Sequence, residues 1–249
     1  MRRTGGFEAQ PDGLAETTRI ALVLSYWNLN RVAFGGGRRI EALLDLLGPR
    51  AVLVQPAPAH PDRSCRVFRP DLGRRKIGIN WGLFNFWFPG AAAAVRKAVR
   101  ELQPAVVVLT SVWAWAPLRT MRPRPPAVLD AHDVLAAAIE ERYGPRHPFA
   151  RMVAAWEGTV VRGVDMVVAC SEKDAEGFRR RYGVAPDKVD VVPNGADLDF
   201  DQRAHASVIE PAVERELAGA EHVLLFMGKL DYQPNRTALR FLADDVLPR

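Results

Sequence analysis

Short, unbroken apolar runs rich in β-branched residues recur along this chain, each followed by a stretch of helical periodicity. No other feature limits the fold so strongly. Arg19-Ile-Ala-Leu-Val-Leu-Ser25, Ala51-Val-Leu-Val-Gln55, Ala105-Val-Val-Val-Leu109, Ala127-Val-Leu-Asp130 and Val164 to Cys170 lack polar alternation. That is the pattern of parallel strands covered on both faces. Between them Ile40, Leu43, Leu44 and Leu47, then Val95, Ala98, Val99 and Leu102, then Phe149, Met152, Val153, Trp156 and Val160 fall on single helical faces. Ala175, Phe178 and Tyr182 make a fourth such face, and Arg66 to Arg69 is a candidate short strand. The expected class is α/β, a doubly wound parallel sheet with helices on both sides.

A second feature sets the domain organisation. Asp187-Lys-Val-Asp-Val-Val-Pro-Asn-Gly-Ala-Asp197 is a β-branched run that stops in a Pro-Asn-Gly turn, with nothing regular for some distance beyond it. A new apolar run, Val223-Leu-Leu-Phe-Met227, then precedes a helix bearing Leu239, Leu242, Ala243 and Val246. In 249 residues this reads as a polar, disordered lead-in over 1–18, one full domain over 19–200, a linker over 201–219, and the truncated opening β-α portion of a second domain over 220–249.

Composition narrows the partners. The formal charge of +5 comes mostly from arginine, which suits phosphate-bearing ligands or an anionic membrane surface. Cys65 and Cys170 stand far apart, so neither a disulfide framework nor a metal cluster is indicated, and a reducing cytoplasm fits. No window reaches the roughly 18 apolar residues of a membrane span, so membrane contact would be peripheral. Ile79 to Phe88, close to Arg74, Arg75 and Lys76, is either core or a lip facing an acceptor or a membrane. Arg179-Arg180-Arg181 reads as a solvated helix face, and no nucleic-acid module is present.

Two stretches carry candidate chemistry. Gly35-Gly36-Gly37 closes the loop after the first strand, where backbone N–H groups can approach a ligand at a helix start. It does not make the Gly-x-Gly-x-x-Gly of dinucleotide oxidoreductases. Asp130-Ala131-His132-Asp133 lies at a strand's carboxyl end, where open α/β sheets gather ligands, with an imidazole between two carboxylates. Asp133 could cap the following helix. Glu157 stands beside an apolar stripe and reads as structural, and Ser171 opens a capping box with Asp174.

Taken in order, Asp130-Ala-His-Asp133, Trp156-Glu157, Asp165 to Asp174, the Val-x-Pro-Asn-Gly-x-Asp type of hinge and Phe226-Met-Gly-Lys-Leu-Asp-Tyr-Gln-Pro-Asn235 resemble the landmarks of GT-B glycosyltransferases of family 4. The resemblance covers about 19 to 249. It implies two Rossmann-like domains and transfer of a sugar from a nucleotide-diphosphate donor to a glycan, lipid or small-molecule hydroxyl, as in cell-envelope polysaccharide synthesis. It implies retention of configuration, no cofactor beyond the nucleotide-sugar co-substrate, and no metal; Asp197-Leu198-Asp199 spells a metal motif of the other major fold but falls in a linker. The residues it assigns are His132 and Asp130 for catalysis, with Gly35, Gly36, Gly37, Asn194 and Lys229 for substrate. A non-catalytic sugar- or lipid-binding fragment, or an epimerase on the same fold, stays open.

Overall fold

The computed structural model of the chain describes residues 20–31, 35–68, 86–87, 89–195, 211–228, 230 and 233–247. The chain divides into two compact units, one through Gly195 and one from Ala196 onward.

The first unit holds a seven-stranded sheet of β1 (Ala21–Leu24), β2 (Ala51–Pro56), β3 (Cys65–Phe68), β4 (Val106–Leu109), β5 (Ala127–Ala131), β6 (Met166–Ala169) and β7 (Val189–Val191), in the order β3-β2-β1-β4-β5-β6-β7. Every neighbouring pair is parallel, with Leu22 beside Val52 on one side and Val107 on the other. The helices are α1 (Gly35–Leu47), α2 (Pro89–Leu102), α3 (Leu135–Tyr143), α4 (Pro148–Gly163) and α5 (Glu172–Tyr182). The chain is therefore a doubly wound, Rossmann-like α/β protein, as the alternation of runs predicts.

The unbroken apolar runs have their physical reason in the two core clusters. Successive side chains of a strand point to opposite faces. Leu22 and Leu24 join one cluster with Val95 and Val99 of α2 and Val153 and Val160 of α4. Val23, between them, joins Ile40 and Leu44 of α1 in the other. Burying each such side chain contributes about 1.5 to 3 kcal/mol, so a polar residue at either parity would cost the sheet one of its covers.

Several local expectations change. The glycine run does not lie in a loop; Gly35 to Gly37 form the first turn of α1, because docking Ile40 and Leu44 draws the helix start inward. The cap position of α3 is Val134, with no side-chain cap bond, so Asp133 is not the cap. Met152 is exposed, since the buried stripe of α4 runs through Ala150, Val153, Trp156, Glu157, Val160 and Val161. Ser171 does accept the Asp174 backbone N–H, as a capping box requires. Arg181 pairs with Glu140 and Arg179 donates to the Val189 carbonyl, so two of the three clustered arginines brace α5.

In the second unit, α6 (Pro211–Leu217) lies inside the expected linker, and α7 (Gln233–Phe241) runs on into a π-helical turn at Leu242–Val246. Val223 to Met227, expected as a strand, forms none, and Leu224, Leu225 and Met227 are exposed. A strand exists only as a pair, and no ladder partner for this run stands among the described residues. The expected features at Ile79 to Asn85 and Phe88, Asp197 to Asp199 and Lys229 lie outside the described residues. Among the described residues no helix is long and apolar enough to cross a membrane.

Candidate functional site

Strand order reverses direction between β1 and β4, so their following loops part and leave a crevice at the carboxyl ends. A cavity of about 170 Å³ occupies it, lined among others by Tyr26 and Trp27 after β1, Thr110 and Trp113 after β4, His132 after β5, and Glu157 of α4.

His132 is the polar centre of this cavity. Its ring centroid lies 5.7 Å from that of Trp27, and its Nε2 is buried with no hydrogen-bond partner among the described residues. Burial lowers its proton affinity below the ordinary histidine value, and the Arg39 guanidinium pushes the same way, while Asp130 and Asp133 pull it up. The balance keeps the imidazole neutral around pH 7, with a lone pair available at one nitrogen.

Asp130, which sequence reasoning pairs with His132, is held by Arg39 of α1. The Arg39 Nε donates to both carboxylate oxygens at 2.9 and 3.1 Å, and Nη2 to Oδ1 at 2.7 Å. Both side chains are nearly buried, at 11% and 8% exposed. The remaining arm, Nη1, donates to the Val192 carbonyl at 2.8 Å and to Asn194 Oδ1 at 3.2 Å. One guanidinium thus joins the helix opened by Gly35, Gly36 and Gly37, the β5 end beside His132, and the Pro-Asn-Gly turn. Arg39 brings Asp130 and Asn194 together; Lys229 is outside the described residues.

Arg39 escaped the sequence reading, although a signal existed. A cation in the first turns of a helix opposes the macrodipole, so Arg38 and Arg39 after three glycines call for a nearby carboxylate. Glu157, read from sequence as structural, has a partner set that the sequence did not name. It is fully buried, its Oε1 accepting the Leu135 N–H at 2.8 Å and its Oε2 the Ala136 N–H at 3.1 Å and the Tyr182 hydroxyl. Those amides open α3, so a carboxylate from α4 supplies the cap that Asp133 does not. Burial pushes the Glu157 carboxyl up to about 7 against the pull of these three hydrogen bonds. Because α3 begins three residues after His132, Glu157 fixes the turn on which the histidine stands.

The arrangement offers a neutral imidazole acceptor and hydroxyl-bearing side chains in a small cavity whose walls are mostly apolar and aromatic. Among the described residues no three His, Cys, Asp or Glu side chains are grouped to hold a metal ion.

Comparison with known proteins covers the same elements. The profile of Glycosyltransferase Family 4 matches residues 35–200. A D-inositol 3-phosphate glycosyltransferase of Nocardia farcinica (strain IFM 10152) is 30% identical over 169 residues, which are 65% of this chain and 34% of that protein. Among solved structures, the sucrose-phosphate synthase of Thermosynechococcus elongatus superposes with a TM-score of 0.55 at 15% identity, over 75% of this chain and 52% of that one. Anabaena HepE in complex with UDP-glucose superposes with a TM-score of 0.50 at 16% identity, over 72% and 45%. The matched part spans about a third of the curated relative and about half of each solved chain.

Proposed function

The chain belongs to glycosyltransferase family 4, and from that membership we propose that it serves the transfer of a sugar from a nucleotide-diphosphate donor to an acceptor hydroxyl, with the cavity at His132 as the acceptor side. The observation that carries this reading is the neutral imidazole whose Nε2 is buried and unbonded in a cavity at the sheet's switch point. Nε2 accepts a hydrogen bond from the acceptor hydroxyl and raises its nucleophilicity as the glycosidic bond forms. The Trp27 and Trp113 rings give apolar walls against which a sugar or cyclitol ring can lie. A curated relative named for D-inositol 3-phosphate supports a small cyclic polyol as acceptor.

Asp130 acts on the charge of His132, and Arg39 meters that action by holding the carboxylate. Asn194 is kept in place through the same guanidinium. The donor is a nucleotide-sugar, a reading supported by the UDP-glucose bound in HepE. Transfer is retaining and independent of a metal, the leaving diphosphate being met by cationic side chains, Lys229 among them, and by helix N-termini. No dedicated protein nucleophile is required; rate comes from holding donor and acceptor together and stabilising the departing charge.

The test is transfer of radiolabelled sugar from a panel of nucleotide-sugars, beginning with UDP-glucose, to cyclitol phosphates and simple sugars, with His132→Ala beside wild type. Loss of an acceptor-side base lowers kcat/KM about 10²-fold or more. A variant within about threefold of wild type removes the histidine from the reaction, and silence across the whole donor panel counts against the transferase reading when it persists with a complete donor-binding domain joined to this chain.

A further inference from the structure

At the opposite end of the sheet, before β4 and β5 begin, four arginines line one groove of about 650 Å³. Two elements supply them in pairs. Arg96 and Arg100 stand one turn apart on α2, and Arg122 and Arg124 alternate with prolines in the segment Arg122-Pro-Arg-Pro-Pro126 that feeds β5. Helical spacing i, i+4 puts the first pair on one face of α2, and the second pair lines the same groove from the segment opposite. Val99, Met121 and Pro104 add apolar wall. No carboxylate lines this groove, and the adjoining hollow of about 450 Å³ that shares Arg122 and Arg124 has Asp165 alone.

Three of the four charges are uncompensated among the described residues. Asp165 pairs with Arg124, whereas Arg96, Arg100 and Arg122 have no ion-pair partner among the described residues. Arg96 donates to the Pro117 carbonyl at 3.3 Å and to Thr120 Oγ1 at 3.2 Å, Arg122 to the Met121 carbonyl at 2.6 Å, and Arg124 to the Gly163 carbonyl at 3.0 Å. Backbone carbonyls thus tether three guanidiniums without neutralising any, and the prolines stiffen the segment between them. Like charges gathered this way repel one another until an anion enters, and tethering removes much of the ordering cost of binding one.

We propose that this groove is a binding site for a phosphate-bearing anion, separate from the cavity at His132. Guanidinium forks match phosphate oxygens two by two, and two pairs on one groove suit an anion carrying several phosphate oxygens. A soluble oligophosphate and a phosphorylated lipid headgroup share that chemistry.

The purified chain is titrated calorimetrically with tripolyphosphate, and floated with phosphatidylcholine vesicles with and without phosphatidylglycerol. Arg100→Glu with Arg122→Glu, both exposed, is compared with Arg146→Glu with Arg151→Glu, an equal charge change at exposed arginines elsewhere. The groove pair loses at least about tenfold in affinity, because two charge-assisted contacts go, while the control pair stays within about threefold. Arg100→Gln with Arg122→Gln falls between, and thermal melting shows all variants folded. Binding to tripolyphosphate alone identifies a soluble anion, and binding only to phosphatidylglycerol vesicles identifies a headgroup; either supports the site. Equal losses in the groove and control pairs, or no binding to either probe, overturns it.

Discussion

Arg39 and Asp130, 91 residues apart in sequence, meet as a two-pronged ion pair at the carboxyl end of β5. Its geometry explains how a helix that opens on three glycines, a strand end and the turn at Asn194 keep a common position around His132. The pair is nearly buried, so its value lies less in net attraction than in what is left when one partner goes.

Arg39→Met therefore destabilises the chain by about 3 kcal/mol or more, because the Asp130 carboxylate stays buried without its partner. Urea unfolding measures this, and Arg39→Lys, with one point charge and no fork, falls between. The same variant raises the proton affinity of His132, since Arg39 lowers it and Asp130 raises it in the native protein. An NMR titration of the His132 ring reads that shift, and adding Asp130→Asn reverses it. A titration unmoved by Arg39→Met would show that the guanidinium does not act on the histidine.

The glycines of this chain separate into opposite kinds. Nothing lies within 4 Å of a Cβ placed on Gly35, which is exposed in the first turn of α1, so Gly35→Ala stabilises by up to about 1 kcal/mol through helix propensity and the unfolded chain. At Gly163 the added Cβ would come 2.7 Å from Trp115 Cζ2, a buried ring that also lies under the Arg124 guanidinium at 5.2 Å. Gly163→Ala costs about 1 to 3 kcal/mol. Thermal melts of the two variants should move in opposite directions.

The centre of the sheet was legible because β1, β2, β4 and β5 are covered on both faces, which leaves unbroken apolar runs, while the edge strands β3 and β7 expose Arg66 and Asp190; the amphipathic helices were legible because one face of each is buried. Such signals are local. Arg39 and Glu157 draw their meaning from partners 91 and 21 to 25 residues away, which no window along the chain contains. The glycine run misled for a related reason: three glycines favour a loop by intrinsic propensity, but docking of Ile40 and Leu44 outweighs that preference and extends α1 back to Gly35. Val223 to Met227 has the composition of a strand without the neighbour that would make it one. His132 could be placed at a strand end from sequence, whereas the switch point that gives it a cavity depends on strand order.

Glu157 gives stability a pH dependence whose sign follows from its surroundings. Burial raises its carboxyl from the ordinary 4.5 to about 7. Below pH 4.5 the carboxyl is protonated in both folded and unfolded chains, and its relative stabilisation of the fold is complete. As pH rises from 4.5 to 7 the unfolded chain ionises first, so that stabilisation is lost, amounting to about 3 kcal/mol once the folded carboxyl has ionised as well. In Glu157→Gln this loss is absent. Wild-type stability minus variant stability, from urea unfolding, should therefore fall across that window and level off above it. The variant carries its own cost of about 1 to 3 kcal/mol at all pH values, because an amide has one acceptor oxygen for the Leu135 and Ala136 N–H groups. Tyr182→Phe offers an independent check. Removing the phenol, which donates to Oε2, takes away one hydrogen bond that favours the ionised carboxylate, so the window extends upward in pH. A difference curve flat from pH 4.5 to 7 would mean that Glu157 is ionised throughout, with the α3 amides and Tyr182 outweighing burial.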